Sequence, residues 1–238
     1  ARRQRQMCIR DRNSILLATS TSVITDLRQI THIRQVLQAK VGDNLKIAVQ
    51  DGKLGYAVIA GIDEQAVYLR DMVLDTPPPA KLPLTVVLAL PRPKVLRRLM
   101  IDMTAIGVAH IVLMNSYRTD KSYWQSPQLL RLHDFIQEGL EQGVDSIAPQ
   151  LTLAKRFKPF IQDELPKFDA PIMLAHPYSD LLISDYTPTP KTLIIGAEGG
   201  FIDYEVKLMQ ESGAVAVSLG RRILRTESAV SALLGRFM

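Results

Sequence analysis

Leu193-Ile194-Ile195-Gly196-Ala197-Glu198-Gly199-Gly200-Phe201 is an apolar strand that runs straight into a glycine-rich loop, and a helical pattern over residues 203–211 follows it. A strand that is apolar without alternation is buried on both faces, as an interior strand of a parallel sheet is. Three glycines in five residues let the backbone take positive φ and approach a ligand closely, at the carboxyl edge where α/β sheets place their sites. The loop matches neither the dinucleotide fingerprint nor the P-loop with its lysine, so its spacing fits a ligand loop and a tight strand-to-helix turn equally.

The same alternation extends on both sides. Residues 85–90 (Thr-Val-Val-Leu-Ala-Leu) predict a buried strand, and residues 94–106 a helix with Leu96, Leu99, Met100 and Met103 on one face. Residues 110–114 read as the next strand and 129–140 as the next helix. Strands over 172–175 and 215–217 and a last helix over 227–237 complete an α/β pattern with a mostly parallel sheet. Upstream, residues 45–49 alternate, Gln50-Asp51-Gly52-Lys53 is turn chemistry, and residues 56–60 and 66–69 continue a β meander interrupted by one helical piece around residues 32–37. Between the two patterns stands Pro77-Pro78-Pro79, which can continue neither a helix nor a central strand. The expected organisation is a tail over 1–12, a small β-rich domain over 13–76, a linker over 77–83 and an α/β domain over 84–238.

The 238 residues are 47% hydrophobic and 22% charged, which excludes a disordered or low-complexity chain. The net charge of +5 invites a polyanionic partner. Residues 1–12, however, hold five arginines against one aspartate, leaving 24 basic and 23 acidic groups in the rest. That tail reads as a solvated basic arm or as a segment foreign to the fold. It also carries Cys8, the single cysteine, so neither a disulfide framework nor a cysteine metal site is expected, and a reducing cytoplasm is. No apolar run reaches the roughly 18 residues of a membrane span. His110 and His133 read as structural, and Trp124 as a packed loop aromatic.

A second loop, Ser218-Leu219-Gly220-Arg221-Arg222-Ile223-Leu224-Arg225-Thr226-Glu227-Ser228-Ala229, follows a neighbouring strand, with Gly220 for a sharp turn and Thr226 as a candidate helix N-cap. Two glycine loops at adjacent strand ends can face one pocket. Ile-Gly-x-Glu-Gly-Gly-Phe followed by Leu-Gly-x-Arg-Ile-Leu-Arg-x-Glu-Ser-Ala resembles the bacterial 16S ribosomal RNA (uracil-N3)-methyltransferases of the trefoil-knot (SPOUT) superfamily. Leu174-Ala175-His176-Pro177, Glu141-Gln142-Gly143, and residues 32–37 with Val41-Gly42-Asp43 extend the resemblance over 14–238.

The resemblance implies a PUA-like RNA-binding domain followed by a knotted methyltransferase domain. It also implies S-adenosylmethionine as cofactor, ribosomal RNA or the small ribosomal subunit as partner, a homodimer formed through the knotted domain, and no metal. Its cofactor residues fall on Leu174 and His176, on Ile195, Gly196, Gly199 and Gly200, and on Leu219, Gly220, Ile223, Leu224, Thr226 and Ala229. Arg225 is the candidate for stabilising a uracil N3 anion, or equally a contact to RNA phosphate, and Glu198 for orienting or deprotonating, or equally for capping backbone amides. Arg92, Lys94, Arg97, Arg98, Arg221 and Arg222 are candidate RNA contacts. Ile202 stands where the family has Ser, and Asp203 is the candidate replacement helix cap. The family's Glu-Gln-x-Gly-Arg-x-x-x-Pro reads Glu141-Gln142-Gly143-Val144-Asp145-Ser146-Ile147-Ala148-Pro149 here, without the Arg, and Asn115-Ser116-Tyr117-Arg118 departs from Ser-Glu-Arg. Alternatives are a paralogue that methylates another RNA and an RNA-binding protein that keeps the fold without turnover.

Overall fold

The computed structural model describes residues 13–238, so the expectations for residues 1–12, Cys8 included, lie outside the described residues. The chain divides into two units. The first comprises the described residues up to Ala80 together with Ile136–Ala148, and the second comprises Lys81–Phe135 and Pro149–Met238.

In the first unit β1 (Ile15–Leu17) pairs in parallel with β3 (Asn44–Val49), and β3, β4 (Leu54–Ile62) and β5 (Val67–Thr76) form an antiparallel meander, with β2 (Val23–Ile24) on the far edge. The period-2 pattern buries Leu45 and Ile47 of β3, Ala57 and Ile59 of β4, and Val67 and Leu69 of β5 on one face. The apolar side of α1 (Leu27–Thr31) and of the π turn His32–Val36 closes that core with Ile30 and Ile33. Asp26 caps α1 by accepting from the Gln29 N–H at 2.8 Å.

Residues 136–148 belong to this unit for reasons no linear pattern announces. The buried Glu141 carboxylate accepts from the Leu16 N–H (3.2 Å), the Gln29 amide (2.8 Å) and both terminal nitrogens of Arg28 (2.6 and 3.2 Å). The Ser146 carbonyl accepts from the Asp51 N–H at 2.9 Å, at the β3–β4 turn. Asp145 is buried and accepts from the Ser146 and Ile147 N–H groups. Val144 takes φ +53°, a left-handed conformation costly for a β-branched residue. Glu141→Ala would leave two buried donors and a half-buried guanidinium without their acceptor. It is expected to destabilise the chain by about 2–4 kcal/mol, measured by urea denaturation.

The second unit is a six-stranded parallel sheet. Along the chain come β6 (Leu82–Ala89), α2 (Pro93–Ile106), β7 (Val108–Met114), α3 (Leu132–Gly143, which the unit boundary divides after Phe135), β8 (Gln150–Ala154), α4 (Phe157–Pro159), β9 (Ile172–Ala175), β10 (Thr192–Ile195), α5 (Asp203–Glu211), β11 (Ala214–Val217) and α6 (Thr226–Leu234). The order across the sheet is β11-β9-β10-β6-β7-β8, with every pair parallel. Continuous apolar runs fill the interior strands, and Val86, Val87, Leu113, Leu174 and Ile194 are fully buried. Proline at the first helical position starts α2, and Gly107 at φ +91° ends it.

Three elements differ from the sequence reading. Strand β8 and the turns over 157–167 carry mixed patterns that periodicity passes over. The helix expected from residue 129 begins at Leu132, because Pro127 opens a separate 3-10 turn in which Ser126 accepts from the Gln128 N–H. Among the described residues no helix is long and apolar enough to cross a membrane.

Candidate functional site

The loops at the carboxyl ends of β9, β10 and β11 enclose a cavity of ≈ 530 Å³, within the range of small-molecule sites. Arg92 and Arg118, from the loops after β6 and β7, complete its wall. The glycine loop after β10 folds back on itself. Gly200, at φ +63°, donates its N–H to the Ala197 carbonyl at 2.9 Å. A Cβ on Gly196 would stand 3.0 Å from the Gly200 Cα, so glycine is required there by close approach.

The loop after β9 lies alongside the end of β11. His176 N–H donates to the Val217 carbonyl (2.9 Å), Ser218 N–H to the Leu181 carbonyl (2.8 Å) and Ile183 N–H to the Ser218 carbonyl (2.8 Å). The Ser218 hydroxyl accepts from the Gly220 N–H at 3.1 Å, and Gly220 turns the chain at φ +111°. Main-chain bonds thus join two of the loops and close the third on itself, leaving polar backbone groups and apolar side chains around one space.

Most of the expected cofactor positions come together here. His176, Ile195, Gly196, Gly199, Gly200, Leu219, Gly220, Leu224, Thr226 and Ala229 line the cavity, as do Glu198 and Arg225. Two do not: Leu174 is fully buried within β9, facing the sheet core, and Ile223 is 68% exposed. Of the basic candidates Arg92 and Arg222 line the cavity, whereas Lys94, Arg97, Arg98 and Arg221 lie away from it. Arg98 is paired with Glu227 at 2.7 Å, and the Arg97 guanidinium sits 5.7 Å from the Phe135 ring centroid. Arg92 donates through Nε (3.0 Å) and its main-chain N–H (3.3 Å) to the Glu198 carboxylate.

Both expected helix caps are corrected. Arg225 holds the N-cap position of α6, and Thr226 is its first residue, buried against the core. Ile202 precedes α5 and has no side-chain acceptor. Glu205, one turn in, reaches back to the Ile202 N–H (3.1 Å), while Asp203 is not the cap. The other oxygen of the buried Glu205 accepts from the Tyr117 N–H at 2.7 Å, linking the loop after β7 to the start of α5. Sequence spacing did not single out Arg118 or Glu205, since both act across long separations. Trp124 is packed as expected, its indole N–H donating to the Asn115 side chain at 2.8 Å. His110 sits within β7 against the Thr152 hydroxyl at 2.9 Å.

The His176 ring meets Tyr178 edge-on at 5.6 Å. Burial pushes its pKa below the usual imidazole value, against a smaller opposing pull from the Asp203 carboxylate. Burial also lowers the pKa of His110, and that of His32, where Glu141 opposes it. Each group binds its proton more weakly folded than unfolded. Stability is therefore expected to be complete above about pH 6.5, and to fall as the pH drops below it towards the depressed folded-state values. Thermal denaturation across pH 5–8 measures this trend.

Residues 78–238 match the family model of the RNA methyltransferase domain. The chain is 28% identical over 215 residues to ribosomal RNA small subunit methyltransferase E of Treponema pallidum, covering 84% of this chain and 79% of that protein. Ribosomal RNA small subunit methyltransferase E 1 of Borreliella burgdorferi is 26% identical over 84% of this chain and 85% of its own length. Among solved structures, ribosomal RNA small subunit methyltransferase E of Neisseria gonorrhoeae, bound to S-adenosylmethionine, superposes with a TM-score of 0.72 at 19% identity, over 94% of this chain and 95% of that one. A Legionella pneumophila protein in complex with the same cofactor gives 0.76 at 24% identity, over 94% and 96%.

Proposed function

We propose that this chain, which belongs to the RNA methyltransferase domain family, transfers a methyl group from S-adenosylmethionine to N3 of a uridine in 16S ribosomal RNA. The observation that carries the reading is the convergence of three loops, two of them glycine-bearing, on one cavity at the carboxyl edge of the parallel sheet. The donor set suits this cofactor: close-packed glycine backbone offers N–H and C=O groups to an adenine edge and a charged amino-acid end, and Ile195, Leu219 and Leu224 offer apolar cover. The absence of a side chain at Gly196 lets Gly200 fold back against it, which gives the loop its tight turn on the cavity wall.

Bound S-adenosylmethionine supplies a methyl group already activated by its sulfonium. The protein's work is then to hold the nucleophilic nitrogen in line and to favour loss of the imide proton from N3. Arg225, exposed on the cavity wall, is placed to stabilise the resulting anion. Glu198, held in an ion pair with Arg92, orients that wall. Because N3 is on the pairing edge, the uridine enters unpaired or flipped out of its stack.

The finer architecture belongs to the same reading. The five-stranded first unit serves as the PUA-like RNA-binding domain. In this reading the chain after β11, which bonds to the loop over 176–191 at Ser218 and continues into α6 against α2, forms the trefoil knot. Two copies pair through the knotted domain, in the cytoplasm. The paralogue reading draws on one observation: Asp145 is turned into the first unit at the position where the related family offers Arg. Mass spectrometry of ribosomal RNA from cells with and without the gene tests the assignment. Loss of one methyluridine in 16S ribosomal RNA supports it, and unchanged methyluridine with loss of another methylated nucleoside transfers it to the paralogue.

A further inference from the structure

Two arginines on the cavity wall hold the glycine loop. Strand β10 lies next to β6, which lies next to β7, and the loops that leave β6 and β7 send Arg92 and Arg118 onto consecutive residues of the loop that leaves β10. Arg92 takes the Glu198 carboxylate. Arg118 donates through Nη1 to the Gly199 carbonyl. Its stem fills the space a side chain at 199 would need, because a Cβ there would stand 3.0 Å from the Arg118 Cβ and 3.1 Å from its Cδ. The segment bearing Arg118 is itself fixed: Glu205 holds the Tyr117 N–H, and the Thr119 N–H donates to the Ser116 carbonyl at 3.1 Å.

We infer that Arg118 is a positioning residue for the cofactor loop, setting affinity for S-adenosylmethionine through the Gly199 carbonyl rather than by contacting RNA. The inference rests on the methyltransferase reading. With the carbonyl tied to a guanidinium, the Gly199–Gly200 peptide is fixed in one orientation and the turn closed by Gly200 N–H and Ala197 O stays shut before ligand arrives. A preorganised loop binds more tightly because less ordering remains to be done on binding. The charge-assisted bond is partly exposed, so its effect is moderate.

The test compares Arg118→Ala, Arg118→Met and Arg118→Lys in the full chain. Arg118→Met keeps the apolar stem and loses the donor; Arg118→Lys keeps a charged donor. Calorimetry with S-adenosylmethionine is expected to show affinity about tenfold weaker for the Ala and Met variants and within about threefold of wild type for Lys. In steady-state methylation the KM for S-adenosylmethionine rises in parallel while the KM for RNA stays unchanged, and the melting temperature without ligand stays within about 2 °C. Unchanged cofactor affinity in Arg118→Met overturns the inference, and so does a raised KM for RNA alone, which marks a phosphate contact. Absence of cofactor binding by the wild-type chain instead overturns the methyltransferase reading on which it rests.

Discussion

Gly196→Val is expected to weaken binding of S-adenosylmethionine by about 100-fold or more while the chain remains folded. The Cβ of a residue at 196 would meet the Gly200 Cα at 3.0 Å, and the Gly200 carbonyl carbon and the Phe201 ring at 3.4 Å each. The first two are backbone, so they cannot swing aside as the tip of a flexible side chain could. Relief requires opening the turn that Gly200 N–H and Ala197 O close, which displaces Gly199 and Gly200 on the cavity wall. The fold tolerates this, because β10 is complete at Ile195 and its buried side chains keep their neighbours. Overpacking of this kind costs about 1–3 kcal/mol, against a total stability of roughly 5–15 kcal/mol. Calorimetry for affinity and thermal denaturation for fold read the two effects separately. Wild-type affinity in a folded Gly196→Val chain would remove the glycine loop from the site.

Arg225→Ala is expected to lower kcat by about 10²–10³-fold with little change in affinity for S-adenosylmethionine. Arg225 stands at the N-cap of α6 on the cavity wall, its side chain exposed. The neighbouring arginines are differently employed: Arg98 is tied to Glu227 and Arg92 to Glu198. Arg225 thus remains available to a developing negative charge, and stabilisation of an N3 anion appears in kcat because the charge arises only on the way to the transition state. The deficit should shrink as the pH rises and the imide ionises without assistance. Steady-state kinetics with a 16S ribosomal RNA fragment over a pH series decides the matter. A raised KM for RNA with unchanged kcat would make Arg225 a phosphate contact and end its catalytic assignment.

The parts of the site that were legible beforehand are those the chain writes locally. Gly196, Gly199 and Gly200 follow one strand and Gly220 another, and a glycine run after a buried apolar strand is visible as a run. Leu174 and Ile223 show the limit of carrying a motif over position by position. Leu174 lies inside β9, a strand buried on both faces, whereas His176 lies just past the strand's end and opens on the cavity, and Ile223, beyond the turn at Gly220, faces solvent. The four-residue basic cluster after β6 divides in the same way. Arg92, just before the helix, faces the cavity, while helical geometry turns Arg97 to Phe135 and Arg98 to the last helix, so a patch in sequence is three separate environments in space.

By itself the sequence determined the β meander, the parallel α/β sheet, the proline break between them and the two glycine loops, because each depends on periodicity or turn chemistry within a few residues. Only the tertiary structure decided that Glu141 serves a network with Leu16, Arg28 and Gln29, that Glu205 rather than Asp203 caps α5, and that Arg92 and Arg118 grip the glycine loop. These pairings join groups from 3 to 125 positions apart, and those of Arg92 and Arg118 depend on strand order in the parallel sheet. The order β10-β6-β7 is what brings the ends of three distant segments to one edge, and no local pattern encodes which strands become neighbours.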